Sequence, residues 1–191
     1  MLDTVVRARG GDAGAFEELV RAYEPLVRRL AWRATFSPDL AQDITQEVFL
    51  QVWRHLPELR NPGSFVPWLY RVAGTTCIRV VKSTPQYGGH AGTGGARSGG
   101  ARSGDPRARA YGVPDPETEV LSREQVAAIG EEISRLPVHY RVAFSLYLEG
   151  LSYESIGRTL GIPVRTVETR LRRARQQLQA RLMARESGDG K

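Results

Sequence analysis

The chain has 191 residues, 41% of them apolar, a formal net charge of +6 and a pI near 9.9. That length holds one domain or two small ones, and the basic balance points to an anionic partner, either nucleic acid or a membrane surface. No run of about 18 apolar residues exists to span a bilayer, the lone Cys77 excludes an intrachain disulfide, and His55, His90 and His139 lack metal-ligand spacing.

The first half, residues 12–82, reads as four helices. Phe16, Leu19, Val20 and Tyr23 share one helical face, Pro25 breaks the run, and Leu26, Val27, Leu30 and Ala31 resume it. Ser37-Pro38-Asp39 supplies a cap, a proline at the first helical position and an early acid. The helix it starts carries Leu40, Ile44, Val48 and Val52 at spacing four, with Phe49, Leu50 and Trp53 expected in the core. Ser64 can cap a fourth helix, whose apolar positions are Trp68, Leu69, Val72, Ala73 and Ile78; Cys77 there reads as a small buried residue.

From Ser83 to Pro116 there is no Leu, Ile, Phe, Trp or Met; Gly, Ser, Ala, Pro and Arg dominate. Such a stretch cannot bury enough apolar area to offset the entropy of ordering it, so a flexible linker is expected over 83–116. The second half, 117–186, reads as four more helices: one holding Val120, Val126, Ile129, Ile133 and Leu136, one over about 138–148, a short one from Ser152 to Leu160, and a long one from Pro163 towards Met183. No useful β-alternation occurs, so the expected class is all-α, two small helical domains on a tether.

Residues 150–171 have the layout of a helix-turn-helix. Ser152 caps a two-turn helix, Ile156 and Leu160 point inward, Gly161 permits the turn, and Pro163 starts a second helix that Val167 and Leu171 pin against the first. The opposite face carries Arg165, Thr166, Thr169, Arg170, Arg172 and Arg173, with Arg175 beyond. Seven Arg fall between 165 and 185 against one acid, Glu168, whereas a merely solvated helix mixes its signs. A helix of this kind fits the major groove with its N-terminal side chains at base edges.

These motifs resemble the extracytoplasmic-function (group IV) branch of the sigma-70 family of RNA polymerase sigma factors. In the second half the resemblance rests on Leu136-Pro137, on Arg141 to Phe144, on Glu149 to Ile156 and on Thr166 to Arg175, which look like the sigma4-like domain that reads the −35 element. In the first half, Asp39 to Trp53 looks like the polymerase-binding helix of a sigma2-like domain, and Phe65 to Ala73 like the −10-reading helix. The resemblance implies core RNA polymerase as partner, held at its β′ clamp helices and β flap, promoter DNA as the second partner, and an anti-sigma factor as regulator. It implies polymerase contacts at Asp43, Gln46 and Glu47, and a −10 surface of Arg60, Asn61, Tyr70, Arg71, Thr75, Thr76, Arg79 and Lys82, with the loop at 56–64 capturing a flipped base. The −35 contacts would be Arg165, Thr166, Glu168, Thr169, Arg170, Arg172 and Arg173.

The chain departs from the family at Thr75 and Arg79, where Asn and Asp are usual, and at Glu168, where a basic residue is common. An acid close to phosphates is unfavourable unless it accepts from a cytosine amino group. A second reading is a sigma-like interaction protein that sequesters an anti-sigma factor without initiating transcription; the Arg-rich recognition helix argues against it. A response regulator would need alternating strands and helices in the first half. With no phosphate-cradling glycine motif, metal cluster or nucleophile–base pattern, no enzyme activity and no cofactor are expected. The N-terminus lacks a signal-peptide layout, and a cytoplasmic protein is expected.

Overall fold

Polar caps and apolar stripes set where the helices run. The computed structural model describes residues 1–84 and 130–188, with side-chain surroundings as far as residue 184. The first half holds α1 (Leu2–Arg9), α2 (Ala13–Thr35), α3 (Pro38–His55) and α4 (Phe65–Ser83). The second holds α5 (Val138–Leu148), α6 (Tyr153–Leu160) and α7 (Val164–Gly188), preceded by a helical stretch at 130–134. No strand occurs among the described residues, so the all-α expectation holds. The linker expected at 83–116 lies, apart from Ser83 and Thr84, outside the described residues, as does most of the helix expected around Val120–Ile129.

Three sequence signals act as read. Ser37 accepts a hydrogen bond from the Leu40 N–H, with Pro38 at the first helical position of α3. Ser152 accepts from the Ser155 N–H at 3.2 Å and starts α6. Gly161 ends α6 in the left-handed region, φ 65°. Two others act differently. Pro25 lies inside α2, which runs unbroken from an Asp12 cap. The lost backbone bond and ring clash of an interior proline cost ~3 kcal/mol, and α2 offsets this by burying Leu19, Val27, Leu30 and Ala31 on both sides of it. Ser64 precedes α4 without a side-chain cap bond; Asn61 instead accepts from the Gly63 N–H at 2.9 Å and closes a short 3-10 turn at Pro62–Ser64.

The first half also begins earlier than residue 12. Helix α1 buries Val5 and Ala8 against α2, and Arg7 pairs with Asp3, Asp12 and Glu18. Helices α2, α3 and α4 then enclose Leu19, Val27, Ile44, Val48, Val52, Phe65 and Leu69. In the second half Val142, Leu146, Ile156, Val167 and Leu171 play the same part.

The two helical units are both present, but they are not independently placed as the tether reading expected. A single apolar cluster runs through both halves. Helix α4 packs on α5 and α6, and α2 packs on α5. Gly74 makes the approach possible: a Cβ there would lie 3.1 Å from Leu160 Cδ2 and 3.5 Å from Val142 Cγ1. At the end of α2, the Phe36 ring lies over Gly130, whose Cβ would sit 3.3 Å from it. Beside this apolar contact, Arg29 Nε and Nη2 donate to the two Glu149 carboxylate oxygens at 2.7 and 2.6 Å, and Arg33 Nη1 donates to Glu149 at 2.7 Å.

Candidate nucleic-acid interface

The helix-turn-helix is held by glycine and proline at its corner. The Ile162 N–H donates to the Gly157 carbonyl at 3.0 Å, and the Pro163 carbonyl accepts from Thr166 and Val167 N–H groups at 2.9 and 3.2 Å. Gly157 has no room for a side chain, because a Cβ would lie 2.9 Å from the Ile162 carbonyl oxygen. The sequence reading assigned no role to Gly157; its place four residues before the turn glycine was the available signal.

Val167, Leu171 and Ala174 are buried and fix the rotation of α7. Arg165, Glu168, Arg172 and Arg175, at spacings of three and four, therefore line one outward stripe, with Arg173 exposed beside it. An open cleft of about 760 Å³ runs along this stripe, lined by Tyr153, Val164, Arg165, Glu168, Thr169, Arg172 and Arg175. The Arg175 guanidinium stands 5.2 Å over the Tyr147 ring, which is tilted against Tyr153 at 5.9 Å. Thr169 donates its hydroxyl to the Arg165 carbonyl at 2.9 Å, and Thr166 is half-buried.

Arg170 departs from the sequence-based face. It precedes buried Leu171, is half-buried, and lies by Tyr140 and His139 of α5. Burial lowers its pKa from the ordinary guanidinium value, with Tyr140 acting the other way. His139 is pushed down by burial and then by the charges of Arg170 and Lys82.

On α4, buried Phe65, Leu69, Ala73, Cys77 and Val81 leave Arg71, Thr75 and Arg79 as an exposed stripe at spacing four, followed by exposed Lys82. Arg60 and Asn61 are exposed in the loop before it. Thr76 does not belong to that surface. It is 1% exposed, and its hydroxyl donates inward to Gln51 Oε1 at 3.4 Å. Its place one residue after exposed Thr75 turns it by about 100° into the α3 seam. Tyr70 is half-buried; burial first, and then the Glu149 charge, push its phenol above the ordinary value, with Arg29 acting the other way. Cys77 is buried, its thiol pushed up to about 12 by burial. Trp68 is half-buried and packs on Phe65, as a core residue should.

On α3, Asp43 and Gln46 are exposed, and Leu50 (51%) and Trp53 (41%) continue their stripe. The expectation that Leu50 and Trp53 are core is therefore corrected. Ile44, Val48 and Val52 already fill the buried face, so Leu50 and Trp53 fall outside it, Trp53 resting on Phe16 at 4.7 Å. Glu47 turns to α4, where its Oε1 accepts from Gln51 Nε2 and Arg79 Nη2, each at 2.9 Å. Those two bonds, Gln51 first, hold its carboxyl below the usual range.

The sequence matches the family models described as Sigma-70 region 2 over residues 19–84 and Sigma-70, region 4 over residues 127–178. It is 33% identical over 183 residues to the ECF RNA polymerase sigma factor SigW of Bacillus subtilis (strain 168), covering 93% of this chain and 94% of that protein. Its fold resembles CnrH, solved in complex with the cytosolic domain of CnrY, with a TM-score of 0.63 at 20% identity, covering 96% of this chain and 97% of CnrH. It also resembles the sigma factor RpoE, solved with the anti-sigma factor NepR from Bartonella quintana, with a TM-score of 0.58 at 19% identity, covering 88% and 96% of the two chains. With its motif order, its helix-turn-helix geometry and full-length likeness to SigW in agreement, the chain belongs to the ECF family of RNA polymerase sigma factors.

Proposed function

We propose that this sigma factor divides its work among three helical faces: α3 for the polymerase, α4 with its preceding loop for the −10 element, and α7 for the −35 element. As a member of the family it binds core RNA polymerase and directs promoter recognition and transcription initiation. Asp43, Gln46, Leu50 and Trp53 form a mixed acidic and apolar stripe that suits a basic partner surface with an apolar centre, the part played by the β′ clamp helices. The β flap is the second polymerase contact, made by the helix-turn-helix half. Glu47 acts at one remove, by holding Arg79.

Arg60, Asn61, Arg71, Thr75, Arg79 and Lys82 face the melted strand, where cationic groups follow the backbone and the loop receives an extruded base. On α7, Arg165 and Arg172 reach base edges or phosphates, and Glu168 between them accepts from a cytosine amino group. Arg173 and Thr169 flank them, and Thr166 and Arg170 support from the half-buried side. The reaction chemistry belongs to the polymerase, so the chain needs no cofactor. It works in the cytoplasm, with an anti-sigma factor as regulator.

The observation that carries this reading is the arginine stripe on the free face of the second helix of a helix-turn-helix. Run-off transcription with core polymerase and this protein on a genomic promoter library tests it. Transcripts starting downstream of one shared bipartite motif are expected; absence of any start above core enzyme alone overturns it.

A further inference from the structure

We propose that Arg9, at the end of α1, is a positioning residue for promoter melting: it fixes the shape of the 56–64 loop before an extruded base enters it. The inference rests on the −10 role proposed above for that loop. The loop consists of two 3-10 turns, Leu56–Glu58 and Pro62–Ser64, joined through Leu59, Arg60 and Asn61. Each turn closes on itself. In the first, the Leu59 N–H donates to the Leu56 carbonyl at 3.0 Å. In the second, the Asn61 side chain accepts from the Gly63 N–H and the Asn61 carbonyl from the Ser64 N–H, both at 2.9 Å. The joint between them is extended, with φ −68° and ψ 103° at Leu59 and φ −115° and ψ 108° at Asn61. Rotation there would swing one turn relative to the other. The Leu59 carbonyl lies at this joint, and Arg9 Nη1 donates to it at 3.3 Å across 50 residues of chain.

The helix behind Arg9 is well anchored. Val5 and Ala8 are buried against α2, Arg7 pairs with Asp12 and Glu18, and the Thr4 hydroxyl donates to Glu18 at 3.4 Å. Helix α1 also packs on both 3-10 turns. Arg9, half-buried in the last turn of α1, therefore reaches the loop from a fixed post. Leu56 is buried and Leu59 half-buried beneath the loop, while Arg60, Asn61 and Gly63 stay exposed. Arg9 commits its donor to the backbone and leaves those exposed groups free for nucleic acid. Extruding a base costs its stacking and pairing. A receiving loop that is itself unordered adds the entropy of ordering it to that cost, and a pre-shaped loop does not. One hydrogen bond from a charged donor is worth about a tenfold change in such an equilibrium.

Hydrogen exchange on the full chain, read by mass spectrometry, tests the brace without DNA. Arg9→Met keeps an unbranched stem and good helix propensity but has no donor. Exchange over residues 56–64 should speed by about threefold to tenfold in this variant, with residues 2–9 and the helix-turn-helix exchanging as in the native chain. Native exchange over 56–64 overturns the inference. Should residues 2–9 speed up as well, Arg9→Gln decides: its amide stops short of where the guanidinium reaches, so faster exchange confined to 56–64 supports the brace and native exchange sinks it. Holoenzyme made with core polymerase supplies the functional arm, with opening scored by permanganate reactivity of unpaired thymines. Native holoenzyme on promoters carrying one abasic nucleotide, moved through the −10 element, locates the captured base as the position that costs most opening. Arg9→Met should lower opening by about tenfold on the intact promoter. On that abasic promoter it should change almost nothing, because the loop has no base to receive. Arg9→Lys, which restores a donor, should recover opening on the intact promoter. An equal deficit on both promoters, or no recovery with lysine, overturns the positioning role. A native holoenzyme indifferent to every abasic position would instead remove base capture by the loop, and the functional half of the inference with it, while the exchange measurement would still judge the brace.

Discussion

Arg165 and Arg170 lie on the same helix within five residues of each other, yet only one faces solvent on the groove side. The buried stripe of Val167, Leu171 and Ala174 sets α7 so that Arg165 and Arg172 line the open cleft while Arg170 turns towards Tyr140 and His139. Arg165→Ala and Arg172→Ala should each weaken −35 duplex binding by about tenfold and lower the slope of log affinity against log salt by about 0.9, the loss of one phosphate contact. Arg170→Ala should leave that slope nearly unchanged, and fluorescence anisotropy across a salt series measures all three. His139 gives folding a pH dependence. Burial lowers its pKa in the folded protein, so the folded state prefers the neutral ring; the stabilisation is full above the ordinary value of about 6.5, declines as pH drops below it, and is lost once pH has passed the lowered folded value. Melting temperature should fall as pH drops below about 6.5, and His139→Gln should flatten that part of the profile.

At the scale of elements, the sequence carried what depends on local chemistry. The Ser37-Pro38-Asp39 start of α3 and the Ser152, Gly161 and Pro163 corner of the helix-turn-helix were legible because caps and turns need particular residues at fixed offsets. Pro25 misled because burial on both sides of it outweighs a local penalty, and only the tertiary contacts of α2 show that. Leu50 and Trp53 misled for the opposite reason: apolar type suggests a core, but the α3 stripe is already full without them. If α3 is the polymerase face proposed above, Leu50→Ser with Trp53→Ala should cut core polymerase affinity by tenfold or more. Helix content and −35 binding should stay the same, as pull-down and anisotropy would report. Gly157 was illegible because its demand is a neighbour at 2.9 Å, visible only once Ile162 is placed. Gly157→Ala should destabilise the helix-turn-helix by about 1–3 kcal/mol through overpacking, despite alanine's better helix propensity. Chemical denaturation measures the difference.

For the whole molecule, what lay beyond the sequence was the relation of its halves. Nothing local marks Arg29 and Arg33 as partners of Glu149, or Gly74 as a neighbour of Leu160 and Val142, until segments far apart in the chain are brought together. The shared apolar cluster and the ion triad make folding of one half favour folding of the other. Coupling of that kind predicts one cooperative unfolding transition, in which calorimetric and van't Hoff enthalpies agree. Independent domains on a tether would melt as two. Glu149→Arg leaves a guanidinium facing Arg29 and Arg33 and should loosen the contact enough to separate the transitions. The charge-reversed triple variant should merge them again. Scanning calorimetry of the three proteins at one concentration and pH reads this directly. Two native transitions that Glu149→Arg leaves unmoved would mean that the halves touch without stabilising each other.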